Sequence, residues 1–298
     1  MTAPSRPLAG AVWMVVTGLL FVCMTAIVKH VGSDVPAAQS AFLRYAMGLP
    51  FLIPMIRPIL QARLTARQKG LFATRGIVHT LGVILWFYAM TRIPLAEVTA
   101  MGYLTPVLVT LGAAIILGEG LALRRLVAIL AAFAGALVVL RPGLREIDPG
   151  HLAMLCNALF FASSYLIAKK LSAEVSATVV VGMLSLTVTL GLAPFAFAVW
   201  VPPTATELGW FFLTACFATA GHYTMTFAFA AAPVTVTQPV TFLQLIWSVS
   251  LGALVFSEPV DAFVILGGVI ILGAVSFITW RESRLRKVVT EPLPEARG

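Results

Sequence analysis

Residues 94–119, PLAEVTAMGYLTPVLVTLGAAIILGE, and residues 233–258, PVTVTQPVTFLQLIWSVSLGALVFSE, are two versions of one segment. Both begin on a proline, run through apolar sequence with scattered hydroxyls and stop on an acid. An offset of 139 lays Pro94 on Pro233, Ala114 on Ala253 and Glu119 on Glu258, and upstream it lays Gly82 on Gly221. Nearer the N-terminus the offset becomes 140, matching Gly10 with Gly150, Met14 with Met154, Phe21 with Phe161, Ile27 with Ile167, Lys29 with Lys169, Val35 with Val175 and Pro54 with Pro194. Pro, Lys and Glu are rare in apolar sequence, so their alignment marks a duplicated unit, as membrane transporters built from internal repeats show.

Each copy is membrane sequence. With 60% hydrophobic residues, 11% charged residues and a mean hydropathy of +0.98, the chain has too little polar surface to cover a soluble globule. A helix needs about 20 apolar residues to cross the hydrocarbon layer. That length divides the chain into ten segments near 8–31, 36–57, 70–91, 94–117, 121–141, 150–171, 176–200, 206–231, 233–256 and 260–280. The expected fold is an all-α polytopic membrane protein, with residues 1–148 and 149–280 as two five-helix units and 281–298 as a disordered tail. The connections Arg92-Ile93-Pro94, Gly118-Glu119-Gly120 and Ser257-Glu258-Pro259 are so short that neighbouring segments must run antiparallel.

Cytoplasmic loops retain Lys and Arg, which sets the orientation. With the N-terminus inside, fourteen positive side chains fall on the cytoplasmic side (Arg6, the 57–69 loop, Arg124 and Arg125, Lys169 and Lys170, and the tail). Four fall outside, namely Lys29, Arg92, Arg141 and Arg145. Both termini are therefore expected in the cytoplasm of a cell (inner) membrane. An odd number of helices per unit makes the second unit enter from the opposite side, so the ten transmembrane helices form two inverted five-helix repeats. Such a pair offers two near-equivalent arrangements about a site at the midplane, the basis of alternating access.

Other classes are weakly supported. Cys23, Cys156 and Cys216 lie in apolar stretches without metal-ligand spacing. The net charge of +8 is dispersed over loops and tail without interleaved aromatics, so no nucleic-acid partner is expected. Arg6 precedes an apolar run longer than a signal-peptide core, which reads as a retained first helix. No Walker loop, HExxH pair or Asp-rich motif is present, so neither ATP hydrolysis nor a membrane enzyme is expected, and no cofactor is implied.

Polar residues at helical spacing inside a span face a cavity or another helix. Segment 9 carries Thr237, Thr241, Gln244 and Ser248 on one face, and segment 4 carries Thr99, Tyr103, Pro106 and Thr110. Segment 3 carries Arg75, His79, Gly82 and Trp86, answered on segment 8 by Thr219, His222 and Thr226. Segments 1 and 6 present Trp13, Thr17 and Met24 against Asn157, Phe161 and Ser164. His79 and His222 are candidates for substrate contact or proton coupling. The rings of Trp86, Tyr103, Phe161, Phe242 and Trp247 would enclose a flat apolar group, Thr241, Gln244, Asn157 and Ser164 would fix a polar one, and Pro106 and Pro239 are candidate hinges. Each also has a plainer reading: hydroxyls bond the preceding turn, a buried His is satisfied by a hydrogen bond, Asn157 ties two helices and rings pack. Arg75 is expected to snorkel to the cytoplasmic interface, and Arg44, deeper in segment 2, to pair with a carbonyl or an acid. Lys29 and Lys169 read as interfacial anchors, Glu119 and Glu258 as structural groups at hairpins, and Ala128, Ala132 and Ala136 as a close-packing stripe.

These features resemble the EamA-type members of the drug/metabolite transporter superfamily over nearly the full chain. The stretches that carry the resemblance are Pro94-Leu95-Ala96-Glu97 through Leu117-Gly118-Glu119, followed by Ala131, Gly135 and Leu140, and Pro233 through Phe256-Ser257-Glu258 to Gly273. The resemblance implies a metabolite carrier, commonly an exporter, whose central cavity is lined by segments 1, 3, 4, 6, 8 and 9. Length, aromatic-rich segments and the lack of cavity charge are most similar to the aromatic amino-acid exporter branch. The expected partners are membrane lipid and a neutral or zwitterionic small molecule: an amino acid (aromatic, Met or Thr) first, a vitamin such as riboflavin or a hydrophobic drug second, carried by a monomer or weak oligomer. No basic cluster is evident at the midplane, so phosphorylated solutes are not expected. Segment 1 has no carboxylate and Glu97 lies near the outer end, so coupling through a buried acid has little support and downhill facilitation stays open.

Overall fold

The computed structural model describes residues 6–32, 34–117, 123–232, 236–237 and 240–290, with backbone alone at 116–117 and 282–290. All named elements are helical: α1 (Pro7–Val31), α2 (Ala37–Gly48), a 3₁₀ turn (Leu49–Leu52), α3 (Ile53–Gln61), α4 (Ala66–Arg92), α5 (Leu95–Gly102), α6 (Leu104–Leu117), α7 (Leu123–Leu140), α8 (Pro149–Ser172), α9 (Ala177–Ala198), α10 (Ala205–Ala231), α11 (Phe242–Phe256) and α12 (Ala262–Thr290). The end of the bundle at which α1 begins is called the near face, and the other end the far face.

Helix starts are written in the sequence. Thr65 accepts from the Gln68 backbone N–H while the Gln68 side chain accepts from the Thr65 N–H, and Thr204 and Glu207 repeat this box on α10, the counterpart of α4. Asp148 and Ser176 cap α8 and α9. Each cap satisfies backbone donors where a span enters water.

Three segments expected to be continuous are broken. Segment 2 becomes α2, a 3₁₀ turn and α3, because Pro50, Pro54 and Pro58 remove donors along it. Segment 4 divides at Tyr103 into α5 and α6. Pro106 cannot donate to the Gly102 carbonyl and its ring crowds that group, so the break falls one turn before the proline. In segment 9 the helix proper starts at Phe242, after Thr241. Pro239, Pro233 and Glu119 lie outside the described residues. At the C-terminal end α12 runs on to Thr290, so the first ten residues of the expected disordered tail are helical.

By length and composition, eight helices qualify as membrane spans, with α2 and α3 counted as one and α5 and α6 as another. The two remaining expected segments fall short for different reasons. α10 has 27 residues but is diluted by His222, Tyr223 and several threonines. α11 is apolar on average but has 15 residues after Thr241, although 236–237 and 240 before it are also helical. Both bear candidate site residues.

The packing partners follow the inverted duplication. α1 packs on α10 and α8 on α4, and these pairs interchange when the repeats are exchanged; α7 with α12, α2 with α9 and α5 with α11 map onto themselves. Ala128, Ala132 and Ala136 are buried as the small-residue stripe requires. Beside them the backbones of α7 and α12 approach until a Cβ on Gly135 would lie 2.8 Å from the Gly267 carbonyl oxygen. In lipid, helix association rests on such packing because the solvent is as apolar as the side chains.

Candidate substrate site

His79 lies near the middle of α4, roughly 20 Å from its start at 1.5 Å per residue. Its Nδ1 is 3.1 Å from Ser164 Oγ on α8 and its Nε2 is 3.4 Å from the Tyr45 hydroxyl on α2. A neutral imidazole protonated on Nδ1 satisfies both contacts, donating to Ser164 and accepting from Tyr45. The ring stacks on Phe161 with centroids 4.6 Å apart. Phe161 has room there because residue 82 is glycine: a Cβ would fall 2.6 Å from Phe161 Cδ1. The repeat produces the same device a second time. A Cβ on Gly221 would fall 2.7 Å from Phe21 Cε1, and Phe21 meets the His222 ring edge-on at 5.3 Å. Each half thus contributes one glycine-seated phenylalanine against one histidine.

Two arginines join this centre. Arg44 is within electrostatic reach of both His79 and His222, and its guanidinium lies over the Tyr45 ring, 4.2 Å from the centroid. Arg75, one turn before His79, is 4% exposed. It stays enclosed by protein, and its side chain runs toward the near-face start of α9. There Nη1 donates to the Val180 carbonyl at 2.9 Å, while Nε has no partner. The carbonyl or acid expected to pair with Arg44 is not found among the described residues; the Tyr45 ring takes that place. The interior of the spans therefore does carry basic groups, and α2 contributes Arg44 and Tyr45 to this cluster.

The other candidates fall into three sets. Trp86, Tyr103, Phe161 and Phe242 border one hydrophobic core, and the Tyr103 hydroxyl donates to the Thr241 carbonyl at 2.9 Å, which joins the break in segment 4 to the start of α11. Trp247 and Gln244 lie against Gly18 of α1, where an added Cβ would be 2.8 Å from Trp247 Cζ3 and 3.6 Å from Gln244 Cβ. The Gln244 amide is half-buried and makes no hydrogen bond among the described residues, so it is open to a ligand. The third set is engaged in contacts within and between helices. Asn157 donates to the Gly82 carbonyl at 2.8 Å and ties α8 to α4, and Thr110 and Thr226 bond carbonyls of their own preceding turns. Thr99 with Ser248 (2.8 Å) and Thr17 with Thr224 (2.9 Å) link helices of opposite repeats. Pro106 lies inside α6, and the change of helix direction it causes falls at Tyr103.

At the far face, connections from both repeats are locked by charge. Arg145 donates to both oxygens of Glu97, at 2.8 and 2.9 Å, and His151 bonds the same carboxylate. The hydrogen bonds to Glu97 hold the Arg145 guanidinium above its ordinary range. Lys29 pairs with Glu258 and donates to the Ile93 carbonyl at 2.9 Å, and Glu258 accepts from the Leu95 N–H. Arg141 pairs with Asp261. Lys29 is therefore a strut between repeats and not a free interfacial anchor. Glu97, Arg145, His151, Glu258 and Asp261 line a cavity of about 240 Å³. Tyr45 and the pairing of Glu97 with Arg145 and His151 are not singled out in the sequence; a tyrosine beside an arginine within a span is the available signal for Tyr45.

Among the described residues no group of His, Cys, Asp and Glu could hold a metal ion. The sequence matches the EamA-like transporter family twice, over residues 8–141 and 148–280. A riboflavin transporter of Rhizobium johnstonii is 31% identical over 287 residues, covering 94% of this chain and 94% of that protein. A pseudopaline exporter of Pseudomonas aeruginosa is 27% identical, covering 89% of this chain and 94% of its own. One solved crystal structure has a TM-score of 0.61 at 20% identity, covering 93% of this chain and 98% of that one, a likeness of fold alone. The paired helices, the doubled match and the full-length relatives agree: this chain is a membrane protein that belongs to the EamA-like transporter family.

Proposed function

We propose that the chain is a secondary carrier that moves a flat heteroaromatic metabolite of the riboflavin kind by alternating access, with the near face in the cytoplasm. The observation that carries the mechanism is the pair of glycine-seated phenylalanines, one from each inverted repeat, each against a histidine at mid-membrane depth. Rocking of the α1–α10 pair against the α4–α8 pair, each of which takes one helix from each repeat, alters the distance between the two Phe–His contacts without rebuilding either. Phe161, Phe21, Trp86, Tyr103 and Phe242 supply ring faces and edges for a planar ligand, and the Gln244 amide and His222 supply polar contacts at its rim. The riboflavin transporter related over 94% of both chains favours a flavin. An aromatic amino acid, the expectation from sequence, is the second reading, favoured by the same ring surfaces together with the Arg44 guanidinium, which would meet its carboxylate.

Counterflow in proteoliposomes distinguishes the two. Vesicles preloaded with riboflavin are expected to accumulate labelled riboflavin, and vesicles preloaded with Trp, Phe, Met or Thr are not. Exchange of an amino acid without riboflavin exchange would reverse the substrate assignment and leave the carrier standing. In the same vesicles His79→Ala and His222→Ala should each slow exchange about tenfold, equivalent to about 1.4 kcal/mol. Full activity in both variants would remove the histidines from the transport cycle.

A further inference from the structure

The interior of the bundle holds two fixed positive charges, Arg44 and Arg75, that no carboxylate among the described residues meets. Within the described spans the carboxylates are Glu97, committed to Arg145 and His151 at the far face, and Glu207, committed to the capping box at the start of α10. Neither approaches Arg44 or Arg75 in any hydrogen bond or ion pair. An arginine cannot relieve its burial by losing a proton. A charged side chain at this depth is costly unless it lines a wet cavity or finds a partner.

The two guanidiniums differ in how far they are satisfied. Arg75 gives one donor to the Val180 carbonyl and keeps its buried Nε without a partner. Arg44 makes no hydrogen bond among the described residues, and its only contact of note is the face of the Tyr45 ring. That ring is itself fixed, since the Tyr45 hydroxyl lies against His79, which is held by Ser164 and stacked on Phe161. The chain Arg44, Tyr45, His79, Ser164 thus presents a fork of free N–H donors from a braced support beside the aromatic surface. A planar fork of this kind matches a carboxylate or phosphate through two parallel hydrogen bonds.

We propose that Arg44, braced by Tyr45 and backed by Arg75, is an oxyanion subsite of the central cavity that takes a carboxylate or phosphate carried by an otherwise flat, apolar substrate. This rests on the carrier reading and narrows it: the preferred solute carries an anionic group. For flavins the 5′-phosphate would occupy the fork; for an aromatic acid, its carboxylate. It replaces the expectation of a cavity without charge.

The test compares isosteric pairs on purified full-length protein by isothermal titration, so it does not depend on flavin transport. Riboflavin 5′-phosphate against riboflavin probes phosphate, and indole-3-propionate against indole-3-propionamide probes carboxylate. At least one anionic member is expected to bind about tenfold or more tightly than its neutral partner, the scale of a charge-assisted hydrogen bond. Arg44→Gln should abolish that preference while changing the neutral member's affinity less than about threefold, and Arg44→Lys should keep part of it, as expected where charge remains but the fork is lost. Equal binding of charged and neutral members to the wild-type protein overturns the proposal without any variant, and so does an Arg44→Gln protein that keeps the preference. Anion preference in the indole pair with no flavin binding would sustain the subsite and discard the flavin reading.

Discussion

Glu97→Ala is expected to be the most damaging single substitution at the far face. The carboxylate is 3% exposed and is shared by Arg145 and His151. Its removal leaves the Arg145 guanidinium without the carboxylate it is hydrogen-bonded to and unties the connection between α7 and α8 from α5. Breaking one side of a buried, hydrogen-bonded ion pair costs about 3–5 kcal/mol, whereas a solvated surface pair is worth about 0–1 kcal/mol. Chemical unfolding in detergent, followed by circular dichroism, should therefore show a lowered midpoint for Glu97→Ala and a smaller loss for Glu97→Gln, which keeps an acceptor in place. A loss within the surface-pair range for the alanine variant would mean that water already solvates the network.

Gly135→Leu and Gly267→Leu should be at least as severe, by a different route. The Cβ position of each glycine lies within 2.8 Å of the other's carbonyl oxygen (2.8 Å from Gly135, 2.5 Å from Gly267), so the obstacle is backbone that cannot rotate aside. Ordinary overpacking of a core costs about 1–3 kcal/mol because side chains yield; here α7 and α12 must separate along their whole crossing. The expected result is a collapse in monodisperse protein on size-exclusion chromatography. Gly70→Ala and Gly209→Ala are the controls, since an added Cβ meets nothing within 4 Å at either position and helix propensity improves by up to about 1 kcal/mol. Normal yield from both leucine variants would show that the crossing is not tightly packed.

The repeat and the apolar run lengths made the helical fold legible, because the bilayer imposes the length and the duplication imposes the pairing. What stayed hidden depends on helix rotation and on contacts between distant parts of the chain. Gly82 with Gly221 and Phe21 with Phe161 were visible as matched residues, but nothing in the alignment says that Gly82 seats Phe161 and Gly221 seats Phe21. Arg75 is close in sequence to a basic loop, which suggested snorkelling; its helix is turned so that the side chain reaches the Val180 carbonyl. Pro106 was visible as a breaker, yet its effect falls at Tyr103, where the preceding carbonyl loses its donor. For Asn157 both readings are open in the sequence, and the structure adds that its amide donates to the Gly82 carbonyl at 2.8 Å.

The helix pairs that map onto themselves under exchange of the repeats have a kinetic consequence. If transport swaps the conformations of the two halves, α7 with α12 meets the same neighbours before and after the swap, whereas the Lys29–Glu258 strut belongs to one face only. Damage at Gly135 or Gly267 then raises or lowers both ends of the cycle together. It changes how many carriers work, seen as a lower maximal rate, and leaves the apparent affinity and its sidedness alone. Cutting the Lys29–Glu258 strut weights one end against the other, and shows as an apparent affinity that differs between the two sides of the membrane.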